Sequence, residues 1–277
     1  NSPLQTGSTF KIMTLAAALQ QGISLDTNYS SAPYQLPGSD VVTNVGGGCG
    51  VCNLREATKQ SLNTSFLRLQ EDLKNGTQDT ADMAHALGVA KSLPGIEKTL
   101  TENGKQPFEG IVLGQYQSRP LDMATAMSTL ANQGVWHNPH FVQRVENAAG
   151  EVLYEHPEDE GERRVSSNVA NNVIEAMEPV AAWSNGALAG GRVSASKTGT
   201  TQMGDTGNNK DAWMVGATPQ LATAVWVGTA DNTSAIFDQY GGIMYGAGAP
   251  TKIWKAVLDN SLANSEFQNF PAAYPLG

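Results

Sequence analysis

The segment STFKIMTLAAALQQ, residues 8–21, is the most informative part of the sequence about the fold. Nearly every position after Thr9 is apolar, and Gly22 follows where a helix C-terminus favours glycine. The pattern predicts a helix that is buried on all sides, which requires a sizeable core around it. Lys11 is the exception, because a lysine at the head of such a helix must point into a cleft or along a boundary between lobes.

The composition is that of a globular protein. With 277 residues and 40% hydrophobic content, the chain can form one large domain or two lobes that share a cleft. A formal net charge of −9 argues against nucleic acids and anionic membranes as partners, since both bind clustered lysine and arginine. No apolar run approaches the ~20 residues of a transmembrane helix, and no signal peptide opens the chain. We therefore expect either a cytosolic protein or part of a longer one.

The first half of the chain is mainly helical in pattern. Asn53 followed by Glu56 matches a capping pair at a helix start, and Pro120 suits the first turn of another helix. A break is expected at residues 61–63. The predicted helices are residues 8–21, 53–59, from the break to Lys74, about 80–87, and 120–131.

The second half changes toward strands. A hairpin is predicted from residues 141–145 and 151–154, followed by an acidic stretch at residues 155–164 and a helix around residues 169–177. Three further strands and a C-terminal helix are predicted at residues 192–201, 212–217, 221–229 and from Pro250 onward.

These elements predict an α+β fold in one domain, residues 1–277. A mainly helical lobe, residues 22–140, would lie beside an antiparallel sheet covered by helices, residues 1–21 and 141–277. A cleft between the two lobes is the expected place for an active site.

Three short patterns could carry chemistry, and the first is Ser8-x-x-Lys11. Each pattern is weak alone, since S-x-x-K arises by chance about once in a chain of this length. Ser8 lies at a helix start, where free backbone N–H groups favour developing negative charge, and Lys11 is one turn away on the same face. Burial beside another cation would lower the pKa of Lys11 and make it a usable base. The alternative is an N-cap serine with a solvated lysine.

The second pattern is Ser61-Leu62-Asn63. In a continuous helix the two polar side chains would diverge, but at a break both can face one cleft. Ser61 could then relay a proton, and the Asn63 amide could hold a substrate backbone group. The alternative is that Asn63 or Thr64 caps the following helix.

The third pattern is Lys197-Thr198-Gly199-Thr200 at a strand end. Gly199 lets another backbone approach closely, Thr198 and Thr200 offer hydroxyls, and Lys197 offers a cation. Together they suit an extended peptide with a free carboxylate laid along a strand edge. The alternative is an ordinary strand end.

Cysteines, histidines and carboxylates give weaker signals. Cys49 and Cys52 lack the further ligands of a zinc site, and their redox state stays open; an oxidising compartment favours a local disulfide. His137 and His140 are placed in a loop without a metal role, and no His–Asp pair indicates a triad. The acidic run at residues 158–162 is interpreted as a solvated loop. No metal or other cofactor is expected.

Taken in order, the three patterns resemble the active-site set of penicillin-binding proteins and serine β-lactamases. The similarity extends along nearly the whole chain and is greatest to the transpeptidase half of bifunctional, class A penicillin-binding proteins. It is carried by the segments GSTFK, SLNTSF, PLDMATAMSTLANQG, KTGTT, DAWMVGATPQLATAVWVG and APTKIWK.

The resemblance implies a role for each motif residue. Ser8 would be the acylated nucleophile, Lys11 its general base, and Ser61 and Asn63 the residues of proton relay and substrate positioning. Lys197 would assist the relay and attract a carboxylate. Thr198 and Thr200 would bind that carboxylate beside Gly199, and the backbone N–H groups of Ser8 and Thr200 would form the oxyanion hole.

The implied function is D,D-transpeptidation of peptidoglycan at the extracytoplasmic face of a bacterial membrane. The implied partners are stem peptides ending in D-Ala-D-Ala, β-lactams and other proteins of wall synthesis, with no nucleic acid. A D,D-carboxypeptidase, a β-lactam sensor and an idle scaffold remain alternatives. A β-lactamase is disfavoured because no E-x-x-L-N pattern supplies a deacylation base.

Two departures from the family pattern stand out. Thr6 occupies a position at which family members usually have proline, so the entry to the first helix would be less rigid. The family's sheet begins with two strands upstream of the nucleophile, whereas Ser8 is preceded by seven residues. We therefore expect this chain to be part of a longer protein with a glycosyltransferase module and a membrane anchor.

Overall fold

The entry to the central helix is tighter than a regular α-helix. In the computed structural model, which describes residues 2–276, a 3-10 turn at Gly7–Phe10 leads into α1, Lys11–Gln20. Thr9 donates to the Thr6 carbonyl oxygen through both its backbone N and its Oγ1, at 3.4 and 2.8 Å. These bonds span three residues rather than four, which is why the predicted α-helix from Ser8 begins three residues later. Every α1 residue from Lys11 to Leu19 is buried, as the apolar pattern predicts.

The other helices follow the predicted order with shifted ends. α3 ends at Glu71 and not at Lys74, because bonds that span three residues follow it, from Asp72 N to Leu69 O and from Leu73 N to Gln70 O, each at 3.2 Å. The Asp79 carboxylate accepts from Asn75 N at 2.9 Å and so draws the start of α4 back to Thr77. The helices are α2 Leu54–Gln60, α3 Asn63–Glu71, α4 Thr77–Leu87, α5 Pro120–Ala131, α6 Ser167–Met177, α7 Val180–Trp183 and α8 Ala249–Ser261, with further 3-10 turns at Glu109–Leu113 and Ala189–Gly191.

A three-stranded antiparallel sheet forms the second half of the core. Its strands are β11 Ala195–Gln202, β12 Asn209–Ala217 and β13 Ala222–Gly228, in that spatial order. β12 is central and almost wholly buried, which fits its near-continuous apolar run. β11, which carries the third motif, lies at one edge.

The remaining strands form short antiparallel pairs. β8 and β9 make the predicted hairpin, although its first strand begins only at Arg144. Glu162–Arg163, which was predicted to belong to an acidic connection, instead pairs with Val135–Trp136. The pairs are β1 Leu4–Gln5 with β6 Gln117–Ser118, β2 Asn28–Ser30 with β5 Val51–Asn53, β3 Tyr34–Gln35 with β4 Val41–Val42, β7 Val135–Trp136 with β10 Glu162–Arg163, and β8 Arg144–Glu146 with β9 Val152–Glu155.

Helices cover the sheet and surround α1. α5 and α8 pack on β12 and β13, while α1 contacts α3, α4 and α6. The Gly7–Phe10 turn lies against β11 and β12 on one side and the Glu109–Leu113 turn on the other. The lobe boundary at residue 140 stays a prediction; α5, inside the range 22–140, packs on the sheet.

The antiparallel sheet with flanking helices is the α+β architecture that the sequence predicts. Cys49 and Cys52 are joined by a disulfide with a Cα–Cα distance of 6.0 Å. Across residues 2–276, no helix combines the length and the apolar character needed to cross a bilayer.

Candidate active site

The three sequence motifs converge on the amine of Lys11. Its Nζ lies 2.8 Å from Ser8 Oγ, 3.0 Å from Ser61 Oγ and 2.8 Å from Asn63 Oδ1. It also donates to the Ser61 carbonyl oxygen at 2.7 Å. Ser8 thus contacts the same nitrogen atom, Lys11 Nζ, as Ser61 and Asn63, which lie about fifty positions away in the chain.

The break between α2 and α3 places Ser61 and Asn63 on the same side. Ser61 has a left-handed backbone with φ +56°, which costs a non-glycine residue roughly 1–2 kcal/mol. It closes α2 through a bond from its N to Thr58 O, and α3 then starts at Asn63. Because the helix is interrupted between them, both side chains reach Lys11, as the expected break requires.

Burial changes the protonation of Lys11. The side chain is fully buried, and burial first, then the charge of Lys197, holds the pKa of Lys11 well below its usual range. A charged ammonium has three donors for the four neighbouring oxygens. A neutral amine donates twice, for example to Ser61 O and Asn63 Oδ1, and keeps a lone pair that can accept from the Ser8 hydroxyl. The geometry therefore suits a base that takes the proton of Ser8.

Lys197 approaches the same group from the sheet. Its Nζ donates to Ser61 Oγ at 2.7 Å and to the Thr198 carbonyl oxygen at 3.0 Å. Its side chain is 1% exposed, and burial lowers the pKa of Lys197 to about 7. The Ser61 hydroxyl therefore lies between two lysine amines, an arrangement that can pass a proton between them.

Glycines bring the serine turn against the edge strand. A Cβ on Gly7, whose φ is +57°, would lie 2.6 Å from Thr200 N, and a Cβ on Gly199 would lie 2.6 Å from Thr6 O. In this structure the backbone that lies close to Gly199 is that of the turn before α1. The backbone of a bound peptide would be a second one. Thr198 and Thr200 remain partly exposed along the strand edge.

The same close approach brings two backbone donors together. Ser8 is the second residue of a 3-10 turn, where a helix offers its N–H no internal acceptor. Thr200 N belongs to the strand that Gly7 touches. The expected oxyanion pair, Ser8 N–H and Thr200 N–H, therefore comes from elements in contact.

Sequence reasoning missed the residues that support this centre. Thr6 N donates to Gly114 O at 3.2 Å, and a Cβ on Gly114 would lie 2.1 Å from Gly7 N. Thr43 O accepts from Asn63 Nδ2 at 3.1 Å. Gly7, the glycine before Ser8, was a sequence signal for close packing at this turn. The contact between Thr43 and Asn63 joins a loop to a distant helix and produces no pattern in the sequence.

The histidines lie outside this cluster. His137 Nδ1 is 3.2 Å from an Asp159 carboxylate oxygen on the surface, a His–Asp pair that the sequence did not indicate; neither residue bonds to Ser8. The rings of His140 and His156 stack with centroids 3.6 Å apart. Within residues 2–276 no group of three or more His, Cys, Asp or Glu side chains could hold a metal. Residues 158–160 are exposed and lie in a loop, as predicted, whereas Glu162 is exposed but belongs to strand β10.

A family comparison matches almost the entire chain. Residues 1–258 match the model of the penicillin binding protein transpeptidase domain. Penicillin-binding protein 1A of Mycolicibacterium smegmatis is 52% identical over 278 residues, covering 99% of this chain and 35% of that protein. The chain thus spans about a third of the length of this relative.

Solved structures match equally well. The structure of the penicillin-binding protein PonA1 from Mycobacterium tuberculosis has a TM-score of 0.97 and 50% identity, covering all of this chain and 72% of that one. PonA1 in complex with penicillin V has a TM-score of 0.95 and 51% identity, covering 99% of this chain and 73% of that one.

Proposed function

Because this chain belongs to the penicillin-binding protein transpeptidase family, we propose that it is a D,D-transpeptidase that works through an acyl-Ser8 intermediate. One observation carries the proposal: Lys11 Nζ, buried and with a lowered pKa, lies 2.8 Å from Ser8 Oγ. A nucleophile, its base and the cationic side chain of Lys197 are thus brought together in one site.

In the first half-reaction Ser8 Oγ attacks the carbonyl carbon of the penultimate D-alanine of a stem peptide. Lys11 takes the hydroxyl proton, and the backbone N–H groups of Ser8 and Thr200 stabilise the oxyanion. The C–N bond then breaks, and the leaving nitrogen receives a proton through Ser61. D-alanine departs, and an ester to Ser8 remains.

In the second half-reaction an amine of a neighbouring stem attacks the ester. Lys11 takes a proton from this amine, the ester C–O bond breaks, and Ser8 recovers its hydrogen. In a D,D-carboxypeptidase, water would replace the amine at this step.

The edge strand holds the peptide terminus in this proposal. Lys197 supplies positive charge, and the hydroxyls of Thr198 and Thr200 face the partly exposed edge of β11. An extended peptide can pair along that edge with its carboxylate at the hydroxyls, while the Asn63 amide holds a backbone group. A β-lactam has a carboxylate beside a strained amide and would enter in the same orientation.

The proposed location and partners rest on the same family membership. Relatives named penicillin-binding protein 1A support an extracytoplasmic protein of the cell wall, and we propose in addition that it is anchored at the membrane. Other wall-synthesis proteins would be its partners. An oxidising compartment is consistent with the Cys49–Cys52 disulfide.

The proposed activity is tested with a D-Ala-D-Ala stem peptide and an amine acceptor, with Ser8→Ala as control. The expected products by mass spectrometry are free D-alanine and the peptide joined to the acceptor, both absent with Ser8→Ala. Release of D-alanine with only the hydrolysed peptide would identify a carboxypeptidase instead. No Ser8-dependent product would contradict both activities.

A further inference from the structure

Asn63 is held by a loop that the motifs do not include. This clamp loop, residues 43–52, runs from β4 to β5 and ends in the disulfide segment. Thr43 O accepts from Asn63 Nδ2 at 3.1 Å, which leaves Asn63 Oδ1 directed at Lys11 Nζ, 2.8 Å away. The contact therefore sets which end of the Asn63 amide faces the base.

Asn44 holds the next residue of the same helix. Helix α3 has no side-chain cap of its own at Leu62, so the N–H of Thr64 lacks a partner inside the helix. Asn44 Oδ1 accepts from Thr64 N at 3.1 Å, and Asn44 Nδ2 donates to Thr64 Oγ1 at 2.9 Å. Thr64 is fully buried, so these bonds are not readily replaced by water. Asn44 thus supplies, from twenty residues away, the cap that α3 lacks.

The loop is braced at its far end. Asn44 Nδ2 also donates to Ser31 O at 3.0 Å. Ser31 in turn donates from its N and its Oγ to Gly50 O, at 2.8 and 3.1 Å. Gly50 lies between the two cysteines, and Cys52 pairs with Tyr29 in the β2–β5 ladder. Hydrogen bonds therefore run without a gap from the disulfide segment through Ser31 and Asn44 to the start of α3.

We propose that Asn44 is a positioning residue of the reaction, which fixes Asn63, and through it Lys11, from the clamp loop. The proposal rests on the proposed acyl transfer. Asn44 touches neither Ser8 nor Lys11. Its effect must pass through the start of α3, and this gives it a signature that general loss of stability would not have.

The test is a double-mutant cycle on the second-order rate of acylation by a fluorescent penicillin, using this chain as it stands. Asn44→Ala is expected to lower the rate about tenfold, since a displacement of the order of 1 Å at a catalytic group can cost up to about 100-fold. In an Asn63→Ala background the same change should lower it less than about twofold, because the group that Asn44 positions is gone. Val45→Ala is the matched control, since its side chain is 69% exposed, and should leave the rate unchanged.

Three results would overturn the proposal. Equal rates for Asn44→Ala and the wild type would show that Asn44 positions nothing. Losses that multiply in the double variant would show a separate effect. A wild type without a Ser8-dependent adduct would remove the proposed function and this inference together, whereas the first two results leave the function standing.

A second variant covers the case in which Asn44→Ala does not fold. Thr64→Val nearly keeps the side-chain volume and removes only the hydroxyl to which Asn44 donates. It is expected to lower the acylation rate in the same direction and to lose its effect beside Asn63→Ala. A wild-type rate for a folded Thr64→Val would then overturn the proposal.

Discussion

At Lys11 and Lys197, two buried amines share one hydroxyl, that of Ser61. Both have lowered pKa values because of burial, and Lys11 is also affected by the charge of Lys197. Two ammonium groups so close to Ser61 would repel each other, and loss of the Lys11 proton relieves that repulsion. The account therefore assigns different charges to the two lysines: neutral at Lys11, positive at Lys197.

This assignment predicts the pH dependence of acylation. The rate should rise as Lys11 loses its proton and fall as pH passes through the pKa of Lys197, about 7, because a neutral Lys197 no longer attracts the carboxylate. Lys197→Arg keeps the charge at high pH and should remove the alkaline fall, at a lower overall rate. Stopped-flow acylation between pH 5 and pH 10 measures both profiles. An alkaline fall that persists in Lys197→Arg would contradict the assignment.

Burial of Lys197 should also cost stability. Its pKa is about 7 in the folded protein and about 10.4 in an unfolded chain. Between these values the unfolded state binds more protons, so the contribution of this group to stability increases with pH from about 7 to about 10. Lys197→Met should therefore raise the free energy of unfolding near pH 7 by about 1–4 kcal/mol and abolish acylation.

Denaturant unfolding at pH 7 and pH 9 tests this expectation. The gain from Lys197→Met should be smaller at pH 9 than at pH 7. A loss of stability at both values would mean that the bonds to Ser61 and Thr198 outweigh the cost of burial.

At the scale of elements, the site depends on the contact between the Gly7–Phe10 turn and β11. The turn can touch the strand because Gly7 and Gly199 have no side chains: a Cβ at either would lie within 3 Å of backbone atoms across the contact. The contact brings Ser8, the proposed nucleophile, together with both expected oxyanion donors. Loss of this contact would separate Ser8 from Thr200 even if every motif residue were present.

Gly7→Ala should therefore abolish acylation. The new Cβ would lie 2.3 Å from Thr200 O, so the turn must move away from the strand. Gly38→Ala is the matched control, because Gly38 also has a positive φ, +65°, but faces open space. Both variants carry backbone strain of roughly 1–2 kcal/mol, and only Gly7→Ala should lose acylation of Ser8 by a reporter penicillin. Near-normal acylation of Gly7→Ala would show that the contact is not required.

The disulfide is a second element-scale constraint. A crosslink that closes a loop of four residues lowers the conformational entropy of the unfolded chain. In the chain-entropy model this stabilises the folded state by only about 2 kcal/mol. We expect Cys49→Ser/Cys52→Ser to lower the free energy of unfolding by no more than that. The acylation rate of this double variant should fall by more than its loss of stability explains, because the clamp loop ends at the disulfide. Guanidinium unfolding and acylation kinetics of the same preparation separate the two effects; an unchanged rate would show that Asn44 acts without the disulfide.

At the scale of the whole molecule, the sequence predicts the architecture and the convergence of its motifs. The apolar pattern of residues 8–21 is sufficient to place α1 in the core, and the strand patterns locate β11, β12 and β13 within a few residues. The family comparison confirms the transpeptidase resemblance. These features follow from local periodicity and from short motifs, which a single sequence contains.

Features set by distant contacts could not be predicted. The 3-10 turn before α1 depends on the close approach of β11, and the cap of α3 comes from Asn44, in a loop twenty residues away. The β7–β10 pair joins Glu162–Arg163, which the sequence assigns to a connection, to Val135–Trp136, for which no element is predicted. In each case a tertiary contact decides the local structure, and neither partner carries a pattern that points to the other.

Covalent capture of Ser8 is the decisive experiment for the acyl-serine mechanism. The protein is incubated with a penicillin, and the adduct is followed by intact mass over hours and located by peptide mapping, beside Ser8→Ala. We expect one lasting adduct on Ser8 that is absent from the variant. An adduct on another residue, rapid turnover of the penicillin, or equal labelling of Ser8→Ala would contradict it.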